Sequence, residues 1–237
     1  MTDPIAFRQV VDLTHTLNER SPNWEGSADS PFNSTELGNI VRDGYYSRVY
    51  STQEHYGTHL DAPAHFAAGG WTVDRIPADR LVRPLVVLDV HKRAENNPDF
   101  EVSVEDVAEW EEAHGAIPSG SVVVAYTGWD QRWEMQESFR NQQSDGLTHY
   151  PGFSLEAAKF LVTSRDVVGL GIDTMSVDIG ATTTYPVHLF TSQHSIYHLE
   201  NVANLAKVPP AGAILVVAPI KLENGSGGQV RLLALVK

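Results

Sequence analysis

Between His55 and His65 the chain reads His-Tyr-Gly-Thr-His-Leu-Asp-Ala-Pro-Ala-His, which places three imidazoles and one carboxylate within eleven residues. Such a cluster has the composition of a metal site. Neutral imidazole and carboxylate suit Zn²⁺, Mn²⁺ or Fe²⁺, and the order His-x3-His-x-Asp-x3-His offers three ligands plus a fourth group able to act on a bound water. The spacing alone would also suit a helical pair of histidines. Gly57 and Thr58 weaken a helix and Pro63 ends one, so the segment reads as extended. In a strand His59 and Asp61 project to the same side, and Gly57 allows a bend that brings His55 to join them.

The chain has 237 residues, enough for one domain with a substantial core, and it holds no long Ser/Gly/Pro linker, fixed-period repeat or low-complexity tract. Residues 1–237 therefore read as a single domain. A net charge of -13 argues against a nucleic-acid partner, because nonspecific binding to phosphates needs clustered Lys and Arg. With no cysteine there are no disulfides, thiolate ligands or Cys nucleophile. Any metal has to use N and O donors. Met1-Thr2-Asp3-Pro4 lacks an apolar signal core, and no run of about eighteen apolar residues exists, so no membrane partner and a cytoplasmic location are expected. A small-molecule substrate and a homodimer or higher homo-oligomer complete the expected partners.

Leu85–Val90, Val122–Tyr126, Ile214–Ala218 and Val167–Ile172 are short, β-rich apolar runs that predict buried strands. Two helices are expected. Ser103 can cap one, with Asp106 three residues on and a stop at Gly115, and Ser154 can cap another carrying Leu155, Ala158 and Leu161. Ile220-Lys221-Leu222 and Val230–Val236 flank a Gly-rich connection suited to a hairpin or tight loop. The fold class is mixed α+β with a β-dominated core.

The motif HYGTHLDAPAH resembles the signature of the cyclase family of metal-dependent hydrolases, which includes bacterial kynurenine formamidases and isatin hydrolases. Asp12-Leu13-Thr14-His15, Gly171–Asp178, Glu200–Leu205 and Gly225-Ser226-Gly227 resemble further family signatures in the same order, so the likeness spans most of the chain. It implies a swivelling β/β/α fold with a β-barrel-like core. It also implies that His55, His59 and Asp61 are metal ligands and His65 the catalytic acid/base. A second family site shares that Asp and adds a later His and a Glu twelve residues apart, here His188 and Glu200, in a region that also holds His194 and His198. The implied cofactor is Zn²⁺ or Mn²⁺, as one or two ions. The implied chemistry is hydrolysis of a small amide, cyclic amide or lactone by metal-activated water, with His65 moving the proton.

The segment between Thr127 and Pro151 is longer than kynurenine formamidases commonly need, and Ala181–Tyr185 differs from their Ser-Lys segment, which points away from that specificity. Trp24 is a candidate substrate contact, although Glu25 stands where the family usually has Pro. Asp173 and Asp178 can orient ligand imidazoles as hydrogen-bond acceptors; Asp173 can equally cap a strand-to-loop turn. A noncatalytic protein holding a structural ion in the same cluster stays open as the alternative, and it would place His65 directly on the metal.

Overall fold

The computed structural model describes residues 7–24, 26 and 30–237, so Met1–Pro4 and Glu25 lie outside the described residues. Seven strands close into a barrel in the order Gly227–Val236, Ala213–Pro219, Val82–Asp89, Val122–Tyr126, Gly169–Ile172, Tyr197–Glu200 and His59–Asp61, the last pairing back onto Gly227–Gln229. Gln9–Asp12 adds to the far end of Gly227–Val236.

Four of these strands, from Val82–Asp89 to Tyr197–Glu200, run parallel, which requires a crossover between each consecutive pair. The helices Val104–His114, Leu155–Arg165 and Pro186–Gln193 lie within those crossovers. They explain why the parallel strands read as unbroken apolar runs. Leu85, Val87, Val122, Val124 and Leu199 share one core with Leu215 and Leu232, whereas Val86, Leu88, Val123 and Ile172 pack with Val107, Trp110, Leu161 and Val187 of the helices. Ser103 and Asp106 form a reciprocal capping box and Ser154 accepts from the Ala157 amide, so both expected helices start where the sequence places their caps.

Elsewhere the structure corrects the sequence. The segment 55–65 is a strand only over His59–Asp61; Pro63 then starts a 3-10 turn over Pro63–His65, closed by the His65 amide donating to Ala62 (2.9 Å). Proline's fixed φ suits the first position of such a turn. The C-terminal hairpin is built from Ala213–Pro219 and Gly227–Val236, leaving Ile220–Leu222 in the connection. The sequence patterns do not announce a separate two-stranded arm, Asn33–Gly38 with Ser47–Ser51. Among the described residues no helix is long and apolar enough to cross a membrane.

Candidate metal centre and active site

Strand alternation builds the centre. Leu60 and Leu199 point into the barrel, so His59, Asp61, His198 and Glu200 point outward, and the antiparallel register sets Asp61 opposite His198 and His59 opposite Glu200. His55 reaches the same place through a bend at Gly57, whose φ of +69° is one that side-chain-bearing residues rarely adopt. On the neighbouring strand a Cβ at Gly227 would sit 2.5 Å from His55 Cε1, so glycine there makes room for the imidazole. His188 arrives from the first turn of Pro186–Gln193. The Asp178 carboxylate accepts from the Val187 amide (2.9 Å), the His188 amide (3.0 Å) and His188 Nδ1 (2.7 Å), so one side chain caps the helix and orients its histidine.

Each of four imidazoles donates its outer N–H to a protein acceptor, and those partners assign the tautomers. His59 Nδ1 donates to the Gly57 carbonyl (2.9 Å) and His188 Nδ1 to Asp178. His198 Nε2 donates to Thr191 Oγ1 (2.6 Å), whose own proton goes to the Val187 carbonyl. His55 Nε2 donates to Ser226 Oγ (3.0 Å), which in turn donates to Glu54. The inner nitrogens are thereby left as lone pairs, and all face carboxylates. His55 Nδ1 lies 2.6 Å and His59 Nε2 3.1 Å from Asp61 Oδ1; His188 Nε2 lies 3.3 Å and His198 Nδ1 3.9 Å from Asp61 Oδ2. Glu200 adds Oε1 at 3.3 Å from His188 Nε2 and Oε2 at 3.4 Å from His59 Nε2.

Lone pairs facing anions in a buried site repel unless a positive charge lies between them. His59 Nε2 and His198 Nδ1 are buried without any hydrogen-bond partner among the described residues. Among protein groups alone only a proton can supply that charge: burial opposes the charged form of His59, but Asp61 and Glu200 outweigh it and raise the pKa to about 10. Burial likewise opposes a charged His188, while Asp178, Asp61 and Glu200 together raise it well above the ordinary range. Burial pushes Asp61 toward its neutral form, yet the surrounding histidines hold it well below the usual carboxylate range. The donor set fits a divalent cation. Asp61 belongs to every His/carboxylate group of metal-binding dimensions in the cluster, with His55 and His65, with His188 and His198, and with His59 and Glu200.

The cluster forms the floor of a 710 Å³ cavity whose walls include Trp24, Phe66, Met175 and Tyr185, a size typical of small-molecule sites. His65, lifted by its 3-10 turn, stacks on His55 with ring centroids 3.9 Å apart, and neither of its ring nitrogens is hydrogen-bonded among the described residues. Partial burial pulls the pKa of this still exposed imidazole down to about 4. Trp24 stands at the rim, 44% exposed.

The structure thus gathers His55, His59, Asp61, His65, His188 and Glu200, and places His194 outside with its ring on the Phe190 carbonyl. It adds His198, whose signal in the sequence was its position two residues before Glu200 on one strand face. Asp173 does not touch the histidines; it accepts from Thr127 N, Thr127 Oγ1 and Trp129 N, and so fixes the turn after Val122–Tyr126.

Comparison with known proteins gives concordant results. An isatin hydrolase of Roseibium aggregatum is 37% identical over 96% of this chain and 92% of its own. A kynurenine formamidase of Salinibacter ruber is 24% identical over 94% of this chain and 95% of its own. A crystal structure of an isatin hydrolase bound to the product analogue thioisatinate superposes with a TM-score of 0.89 at 32% identity, over 96% of this chain and 92% of that one. The Cyclase family model matches residues 11–179, and with this agreement in sequence and fold the chain belongs to the Cyclase family.

Proposed function

We propose that this chain is a metal-dependent hydrolase that opens the ring of a small cyclic amide of isatin-like shape. The observation that carries this reading is the set of four imidazoles held from outside by protein acceptors and turned from inside onto Asp61 and Glu200, at the floor of a cavity with Trp24, Phe66, Met175 and Tyr185 in its walls. A structural ion is enclosed by its ligands. Here the cluster opens onto a cavity large enough for a substrate, which favours catalysis over the noncatalytic alternative.

His55 Nδ1, His59 Nε2, His188 Nε2 and His198 Nδ1 are the nitrogen donors, with Asp61 and Glu200 as the anionic ones; N and O donors of this kind suit Zn²⁺ or Mn²⁺. When bound, such an ion polarises the scissile carbonyl and acidifies water. His65, whose ring nitrogens have no hydrogen-bond partner among the described residues, stands above this floor, where it can take the proton from attacking water and return it to the leaving nitrogen. Trp24, Phe66, Met175 and Tyr185 offer apolar walls to a flat aromatic ring. Support for a cyclic rather than an open-chain amide comes from the higher identity to an isatin hydrolase than to a kynurenine formamidase, and from the departures at 127–151 and 181–185.

The test is a turnover assay of the metal-loaded protein on isatin, N-formyl-kynurenine and a simple lactone. Isatin is expected to give a kcat/KM at least about tenfold above the others. Preference for the formamide would overturn the cyclic-amide assignment. Full metal occupancy without turnover of any of them would return the site to a structural ion.

A further inference from the structure

A second cavity of about 320 Å³ adjoins the first and plays no part in the chemistry above. Trp24, Met175 and Tyr185 line both, so this annex begins where the main cavity ends. Nine of the twelve residues lining it fall within 127–151 or 181–185, the two segments in which the chain departs from kynurenine formamidases. The annex is therefore built by what sets this chain apart from those enzymes.

The two cavities differ in charge. Glu54, Asp61 and Glu200 line the main one and no Lys or Arg does, whereas the annex holds Arg140 and no acidic side chain. Arg140 ends the short helix Gln136–Arg140, and among the described residues its guanidinium meets only neutral acceptors. Nε and Nη2 donate to the Trp24 carbonyl (3.3 and 3.1 Å), and Nη1 donates to Gln142 Oε1 (3.3 Å). One N–H on each Nη is left for a further acceptor. Gly26, at a φ of +65°, lets the guanidinium lie against its backbone, where a Cβ would overlap it. The cation is thus anchored by backbone, in a chain of net charge -13, without a carboxylate set against it. A guanidinium fixed in a cavity free of acidic groups has the chemistry of a site for a small oxyanion.

We propose that the annex is a specificity subsite for an anionic substituent of the substrate: the cyclic amide lies over the metal centre, and a carboxylate at the far end of its ring is held by Arg140. The assignment rests on the hydrolase reading above and narrows it from flat cyclic amides to acidic ones. The anion belongs at the end remote from the scissile bond, because Glu54, Asp61 and Glu200 surround the reacting end. On an isatin-shaped ring the remote positions are 5 and 6. Charge-assisted hydrogen bonds of this kind are worth about ten- to a hundredfold in affinity.

The test compares isatin-5-carboxylate and isatin-6-carboxylate with the matching uncharged carboxamides on the metal-loaded protein. Wild type is expected to favour the acid over the carboxamide, at one of the two positions, by about ten- to a hundredfold in kcat/KM, carried by KM. Arg140→Gln should bring that ratio to about one, and Arg140→Lys, which keeps the charge but not the planar fork, should retain part of it. Absence of turnover for every compound would count against the hydrolase reading, and the same ratio is then read from dissociation constants by calorimetry, which needs no chemistry. A wild-type ratio near one at both positions would overturn the subsite. So would a preference for the acid that survives Arg140→Gln, since the anion would then be held elsewhere, as by the metal itself.

Discussion

Replacing Asp178 by Asn separates orienting a ligand from capping a helix. The carboxylate accepts from three donors, two backbone amides and His188 Nδ1. The Val187 amide donates to one carboxylate oxygen and the His188 amide and Nδ1 to the other, so an asparagine that keeps its oxygen on the Val187 amide turns its NH₂ group onto His188, where it competes with Nδ1 as a donor. The ring answers by moving its proton to Nε2, the nitrogen that faces Asp61 and Glu200. A protonated Nε2 cannot bind a cation. Loss of such an outer partner typically weakens metal affinity 10- to 100-fold, or about 1.4 to 2.8 kcal/mol. Asp178→Asn should therefore lower affinity by that factor in a competition titration against a chelating dye. The metal-free protein should lose about 1 kcal/mol in urea unfolding, since one of the two capping bonds survives. Asp178→Ala should lose the affinity and, with buried amides unpaired, a further ~1 to 3 kcal/mol of stability. Wild-type metal affinity in Asp178→Asn would refute the orienting role and leave Asp178 as a helix cap alone.

Three further outcomes are expected. His65→Gln should retain metal by elemental analysis while turnover falls about 10² to 10⁴-fold; joint loss of metal and turnover would make His65 a ligand. Gly227→Ala should displace His55, given the 2.5 Å approach to its ring, and appear as weakened metal binding without loss of the barrel's circular dichroism signal. His15, stacked on Trp133 with its Nε2 buried and without a partner among the described residues, has its pKa lowered by burial from 6.5 to about 4. A depressed histidine pKa means that the unfolded chain takes up the proton first. Its contribution is whole above pH 6.5 and is lost as pH falls toward 4, amounting to up to about 3 kcal/mol. Urea unfolding of wild type and His15→Phe at pH 7.5 and 4.5 should show that difference between the two proteins, and parallel losses would exclude it.

The central barrel strands were legible because parallel strands covered by helices on the outside and packed within are apolar throughout. The helix starts at Ser103 and Ser154 were legible because capping is local chemistry. The helix Pro186–Gln193 was hidden, because its cap is supplied by Asp178 from eight residues before it rather than by an adjacent residue. The cluster at 55–65 identified itself by residue type, but its shape depended on long-range pairing: only the partners Tyr197–Glu200 and Gly227–Gln229 make His59–Asp61 a strand. His198 escaped for a related reason. Its tie to Thr191 and its place opposite Asp61 exist only once the strand is paired. The arm at 33–51 carries few strand-forming residues in its first half and is visible only in three dimensions.

The most direct measurement is the bound-metal content and affinity of protein purified without chelator, compared between wild type and Asp61→Asn. Asp61 is the one residue shared by every His/carboxylate group in the cluster, so one substitution acts on all of them. Wild type should hold at least one tightly bound divalent ion per chain. Asp61→Asn should hold less than about a tenth of that while keeping its fold. Unchanged stoichiometry and affinity in Asp61→Asn would contradict a metal centre organised around Asp61.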